Sequence, residues 1–395
     1  MGSHRLSSII ERLLEQEAPL FDFFTGSAWA LGDPEDPEVC DLVVGNPHEM
    51  ALPAFVEAIQ RWVPPQDDAW FAYKFNEPYA REAVATGLRR RRGVPFEPED
   101  VFLTDGAFTG LNLCVRVVAD PGDEIVFLSP PWFFYSALIV AQGATPVRAL
   151  VDRRTWDPDL DALEAAITER TRAVIVNSPN NPTGRIYPPE VLGGLAQVLS
   201  VASERIGRPI YLISDEAYSR IVFDDRAYPS PTEHYASSFL VYTYGKQLLA
   251  PGQRLGYVAL PPTMPDREPV RAAFELAQMS IGGNGVPNAV MQRALADLDE
   301  LSVDVKALQR RRDLLTEALR ASGYELPTAE GTFYLLPTSP IPDDRAFVER
   351  LARDKVYVLP GSLVETPGRF RISITGNDDM VERSIPVFER AAREA

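Results

Sequence analysis

The most chemically suggestive placement in this 395-residue sequence is a lysine at the end of an apolar run. Lys246 follows Phe239–Tyr244 and Gly245, and Tyr242, Tyr244, Leu248 and Leu249 flank it. It is one of four lysines among 39 basic residues, the others being Lys74, Lys306 and Lys355. Solubility explains such a lysine poorly. Apolar surroundings favour the free amine, which adds to an aldehyde to make a Schiff base. A P-loop does not fit, because Leu240 replaces glycine six positions before Lys246 and Gln247 replaces the serine or threonine.

Other polar groups follow other apolar runs. Asp215 comes directly after Ile210–Ser214, with Tyr218 three residues on. A carboxylate ending a buried strand needs a partner, and a cationic ring nitrogen would be one; a helix N-cap is the plainer alternative. In Ser178–Gly184, Asn180 and Asn181 sit between Pro179 and Pro182, a stiff loop presenting amides to an oxygen. Asp105-Gly106-Ala107-Phe108-Thr109 opens a helix whose first N–H groups suit an anion. Trp132 to Tyr135 are four consecutive aromatic residues, either core or a stacking face. Arg254, in a turn eight residues beyond the lysine, suits a phosphate, and Arg369 and Arg371 alternate on a strand, where one could fork onto a carboxylate or simply form a salt bridge.

The elements that must position these groups read as α/β. Apolar runs at Val101–Thr104, Glu124–Ser129, Ala173–Asn177, Ile210–Ser214, Phe239–Tyr244 and Tyr257–Leu260 predict strands, with helical periods such as Leu160–Thr168 and Glu190–Glu204 between several of them. That alternation predicts a mostly parallel sheet sandwiched by helices, with ligands outside the carboxyl ends of its strands. Ser7–Glu17 reads as an amphipathic helix and Phe21–Pro53 as loop. Helical Val303–Ser322 and Asp343–Asp354, with strands at Thr332–Leu336 and Arg369–Ile374, predict a smaller α+β domain. The expected division is an arm at 1–45 joining the small domain, a large domain at 46–289 and a small domain at 290–395. The run Arg89–Arg92 reads as a solvated helix end complementing the dipole.

Composition narrows the function. With 56 acidic residues and a net charge of -17, neither nucleic acid nor an anionic membrane is an expected partner. Two cysteines and three histidines provide no disulfide framework and no zinc spacing, so no metal is expected. No apolar run reaches about 18 residues, and Met1–Phe21 lacks the segments of a signal peptide. A cytoplasmic location is the expectation.

Taken together, NSPNNPTG (177–184), SDEAYSR (214–220), GKQLLAPGQRLGY (245–257), EGTFY (330–334) and FRIS (370–373) resemble the class I/II aminotransferases of the fold type I pyridoxal-phosphate superfamily. The likeness runs from Gly45-Asn46-Pro47 to Gly376. It implies that Lys246 carries pyridoxal 5'-phosphate as an aldimine and shuttles a proton, and that Asp215 pairs with the ring nitrogen. Tyr218 and Asn181 would meet the ring's phenolic oxygen, and Trp132 would stack on the ring. Gly106, Ala107, Phe108, Thr243 and Arg254 would form the phosphate site. Arg371, with Gly45 and Asn181, would take the substrate carboxylate. It also implies a homodimer with shared active sites, Tyr73 being the candidate to reach the neighbour's phosphate.

Three features depart from the family pattern. Thr243 and Gly245 stand where many relatives have serines, Phe71–Arg81 is shorter than the usual Tyr-to-Arg spacing, and Met279–Gly285 offers no cation for a second carboxylate. Trp70, Phe71, Phe75, Phe133 and Phe134 lean toward an apolar or aromatic substrate. The leading reading is an aminotransferase acting between an L-amino acid and a 2-oxo acid. The runner-up keeps the cofactor and breaks another bond, as a decarboxylase, lyase, oxidase or cyclase in a specialised biosynthetic pathway. A non-catalytic binding module is disfavoured by the full set of site residues.

Overall fold

The computed structural model describes residues 6–280 and 285–395. Among these residues the strands are β1 (Cys40–Asp41), β2 (Val101–Thr104), β3 (Glu124–Ser129), β4 (Thr145–Leu150), β5 (Thr171–Asn177), β6 (Tyr211–Asp215), β7 (Ser238–Thr243), β8 (Gly256–Ala259), β9 (Tyr334–Leu335), β10 (Val356–Tyr357), β11 (Leu359–Pro360) and β12 (Phe370–Ser373). β2 to β8 form one sheet in the order β2-β8-β7-β6-β5-β3-β4. β8 is antiparallel to its neighbours β2 and β7, and the other pairs are parallel. This is the mostly parallel, helix-covered sheet that the alternating pattern predicts.

Side chains alternate across the sheet and feed two layers of core. Phe127, Ile175, Ile213 and Val241 pack with the helices Ala107–Val118 and Arg267–Ser280 on one face. On the other, Val126, Val174 and Leu212 meet the helices Leu160–Ala166 and Pro189–Ile206, while Leu240, Tyr242 and Tyr257 meet Pro78–Arg92 and Ala289–Asp299. Because β3, β7 and β8 are buried throughout, each reads as a run with an apolar centre. β4 does not. It pairs only with β3 at the sheet edge, contains Pro146 and exposes Thr145, Arg148 and Leu150, so no apolar run marks it.

Elsewhere, β11, β12 and β9 make a small antiparallel sheet. It shares a core with the helices Val305–Ala321, Asp344–Arg353 and Asp378–Arg393. β1 pairs in parallel with β10, which ties the segment after the N-terminal helices to the C-terminal region. No described helix is long and apolar enough to cross a membrane.

Two expectations are corrected. The stretch from Phe21 to Pro53 is not chiefly loop at its start, because helices Ala18–Gly26 and Ala28–Leu31 occupy it. Pro19 fits the first turn of one helix, and Ser27 caps the other by accepting from Ala30 N at 3.2 Å. Packing of Phe23, Phe24 and Trp29, with ring centroids 5.5 to 5.9 Å apart, fixes the bend between them.

The second correction concerns Arg89–Arg92, half of which is not a solvated face. Arg91 forks onto Asp299 at 2.6 and 3.1 Å, and Asp299 also accepts from the Tyr244 hydroxyl at 2.7 Å. Arg92 pairs with the fully buried Glu216, which also accepts from the hydroxyls of Ser214 and Ser230. These arginines therefore brace the ends of β6 and β7 from behind. Removing one partner strands a buried charge, so Glu216→Gln is expected to lower stability by about 3–5 kcal/mol. Arg92→Met combined with Glu216→Leu should cost less than the two single changes added together. Urea unfolding midpoints measure both, and a Glu216→Gln protein as stable as the parent would refute the buried pair.

Candidate active site

Loops at the carboxyl ends of β2, β3, β5, β6 and β7 converge with β12 and the turn at 44–46 on one cavity of about 380 Å³. Lys246 reaches it from the short helix Tyr244–Gln247, whose start is capped by Thr243 Oγ1 accepting from Gly245 N at 3.2 Å. Its Nζ lies 5.7 Å from the Phe333 ring centroid and 6.0 Å from that of Tyr218. No carboxylate among the described residues forms an ion pair with it. The amine faces rings.

Asp215 ends β6 and is buried. Oδ2 accepts from the Tyr135 hydroxyl at 2.6 Å and Oδ1 from Ala217 N at 3.2 Å. Burial pushes the carboxyl up to about 6 even though both bonds favour the ionised form. Asn177, at the end of β5, ties the neighbouring loops together. Its Nδ2 donates to the Asp215 carbonyl at 2.9 Å, and its Oδ1 accepts from Asn181 N at 2.7 Å.

Arg371, on β12, is buried at 1% exposure and forms no ion pair with a carboxylate among the described residues. Nη1 donates to Asn181 Oδ1 at 3.0 Å and Nη2 to the Val43 carbonyl at 2.9 Å, while Nε has no partner. The guanidinium lies 4.0 Å over the Tyr334 ring. Asn181 Oδ1 is thereby committed to arginine, which leaves its amide nitrogen to donate. Gly45 is required by close approach, since a side chain there would collide with the Phe333 ring and meet the Tyr334 hydroxyl at 3.0 Å.

Tyr218 and Tyr334 are both buried, with ring centroids 6.0 Å apart. Burial drives Tyr218 well above the ordinary phenol range. Burial acts the same way on Tyr334, but the charges of Arg371 and Lys246 outweigh it and hold that phenol below its usual value.

At the opposite end, Gly106 precedes the helix Ala107–Val118 with φ +83° and no side-chain cap. The first N–H groups of that helix, those of Ala107 and Phe108, border the cavity without a cap. A Cβ at Gly106 would stand 3.0 Å from Arg254 Nη2 and 3.5 Å from Thr243 Oγ1, so glycine keeps this cradle open. Arg254 is fixed beside it by donating to the carbonyls of Pro251 at 2.9 Å and Asp105 at 3.0 Å. Trp132 lines the wall edge-on to Phe108.

The structure thus gathers Lys246, Asp215, Tyr218, Ala107, Phe108, Trp132, Asn181, Thr243, Arg254, Gly45 and Arg371 around one space, with Gly106 beside them. Tyr73 is not there: it is 92% exposed and absent from the cavity lining. Of the segment Met279–Gly285, residues 281–284 lie outside the described residues. Sequence reasoning gave no role to Tyr135, Asn177, Tyr334 or Phe24. The first three lie inside or beside motifs already singled out, where strand-end position was the available signal. Phe24 had none, because its helix was read as loop.

Residues 37–387 match the family described as aminotransferase class I and II. The aspartate/prephenate aminotransferase of Thermus thermophilus is 31% identical over 365 residues, covering 90% of this chain and 91% of that protein. The aspartate aminotransferase of Thermotoga maritima is 28% identical, covering 89% and 90%. In structure, an aminotransferase from Eubacterium rectale superposes with a TM-score of 0.86 at 30% identity, covering 99% of this chain and 96% of that one. Sequence, fold and the shared strand-end geometry agree, and the chain belongs to the class I and II aminotransferase family and is an aminotransferase.

Proposed function

We propose that the cavity holds pyridoxal 5'-phosphate and that the enzyme moves an amino group between an L-amino acid and a 2-oxo acid. The observation carrying this reading is a set of unmatched polar groups facing one space. Among the described residues Lys246 has no carboxylate in an ion pair, the buried carboxylate of Asp215 no cation in one, and the buried guanidinium of Arg371 no anion in one. A pyridoxal ring with its aldehyde and nitrogen, and a substrate carboxylate, match all three. The glycine-opened cradle beside Arg254 and Thr243 fits a phosphate.

When bound, the cofactor supplies the electron-withdrawing ring that weakens the bonds at the substrate Cα and holds the amino group between two substrates. The chain's own residues do the rest. Lys246 Nζ would hold the cofactor at its aldehyde carbon and, as a free amine, would accept and return the proton at the substrate Cα. Asp215, oriented by Tyr135 and the Ala217 amide, would face the ring nitrogen and hold a proton there. Tyr218 and the Asn181 amide nitrogen would donate to the phenolic oxygen, Trp132 would pack against the ring, and Arg371 would fix the substrate carboxylate. The face bearing exposed Phe71, Tyr73, Phe75, Leu276 and Met279 supports a homodimer in which Tyr73 serves the second copy's site.

Borohydride treatment of the purified holoenzyme is expected to fix the cofactor on Lys246, seen as a mass increment on the peptide that contains it and lost in Lys246→Ala. A parent protein that retains no such label after reconstitution would overturn the cofactor assignment. Incubated with L-amino acids and no acceptor, the enzyme should release one 2-oxo acid per site; repeated turnover with CO2, ammonia or peroxide would overturn transamination.

Asp215 also sets a pH-dependent cost. In the ligand-free protein its carboxyl is raised from 3.8 to about 6, so the ionised group opposes folding as pH rises through that interval. Ligand-free Asp215→Asn is therefore expected to be more stable than the parent at pH 8, by up to about 3 kcal/mol. The advantage should shrink toward pH 4, as thermal unfolding across pH would show. A parent that is the more stable of the two at pH 8 contradicts this.

A further inference from the structure

The reading above fixes the reacting end of the substrate and leaves its side chain open. The cavity between Arg371 and solvent is walled by rings. Phe133 lies 5.7 Å from the Arg371 guanidinium, 4.8 Å from Phe134 and 5.9 Å from Phe24. Phe134 continues to Phe108 at 5.6 Å. Phe24 comes from the helix Ala18–Gly26, so the N-terminal segment closes one side of the space. These rings are partly exposed to the cavity rather than sealed in core.

The charge inventory points the same way. Among the described residues lining the cavity the cations are Lys246, Arg254 and Arg371. Arg371 is taken by the α-carboxylate, Arg254 is tied to the Pro251 and Asp105 carbonyls at the phosphate end, and Lys246 does the chemistry. A second carboxylate entering along the ring wall would lose its water and meet no cation of this chain among the described residues, whereas an aryl group would gain edge and face contacts.

Resting on the proposed aminotransfer reading, we propose that this site is specific for L-amino acids with an aromatic side chain and discriminates against aspartate and glutamate. Phe24, Phe108, Phe133 and Phe134 are the specificity-determining residues, holding the side chain while Arg371 holds the carboxylate.

The test uses the reconstituted enzyme and the first half-reaction, following the absorbance change of the bound cofactor with L-phenylalanine, L-alanine and L-aspartate. The expected kcat/KM for phenylalanine exceeds that for aspartate by roughly 100-fold or more. Binding is measured separately by calorimetry with 3-phenylpropanoate and succinate, which carry no amine and do not react; 3-phenylpropanoate should bind at least about 10-fold tighter. Phe24→Ala should lower the phenylalanine-to-alanine ratio about 10-fold, mainly through KM, and Phe24→Leu should restore part of it. A preference for aspartate in both assays, or a Phe24→Ala ratio equal to the parent's, would overturn the proposal while leaving aminotransfer intact. If no amino acid yields a 2-oxo acid, the aminotransfer reading fails, and the calorimetric comparison still decides whether the wall selects aromatic carboxylates.

Discussion

Arg371 is a full positive charge held away from water and bonded only to uncharged acceptors, the Asn181 amide and the Val43 carbonyl. Burial lowers its proton affinity, so the surrounding fold must bear that desolvation. Much of the site follows from this arrangement. The Asn181 oxygen is fixed because the guanidinium uses it, and the Tyr334 phenol is biased toward losing its proton because the charge lies over its ring. The turn at 43–45 must approach closely enough for a carbonyl to reach the arginine, and there only glycine fits beside Phe333. A binding group preorganised in a dry cavity is costly to the empty protein and effective toward an anion that completes it.

Asp215 repeats the logic with opposite sign at the other side of the same space. The two unmatched charges are kept apart by different strands, and the ends of β6 and β7 are anchored from behind by pairs that are fully matched. Arg92 with Glu216 and Arg91 with Asp299 hold the residues next to Asp215 and Lys246 by charge-assisted bonds on the far side of the sheet. The contrast between satisfied pairs behind the sheet and unsatisfied groups in front of it distinguishes scaffold from site.

The sequence was most readable where burial is complete. β2 and β3 fall on the predicted runs, and β5 to β8 fall within a residue or two of theirs, because strands covered on both faces are apolar along most of their length. The site residues were readable because each follows such a strand. What stayed hidden depends on contacts distant in sequence. β4 is an edge strand with solvent on one side, the helix carrying Phe24 is set by aromatic packing and a serine cap, and the burial of Arg91 and Arg92 depends on carboxylates far along the chain. No local period reports such partners.

The pairing of β1 with β10 bears on how the protein is made. β10 leaves the ribosome after every strand of the seven-stranded sheet, and Arg371 follows it. The sheet can therefore fold on a growing chain while the segment at 40–45 waits for its partner. The carboxylate pocket can form only once β10 to β12 are made, because Arg371 and the strand that pairs with 40–41 both come from that stretch.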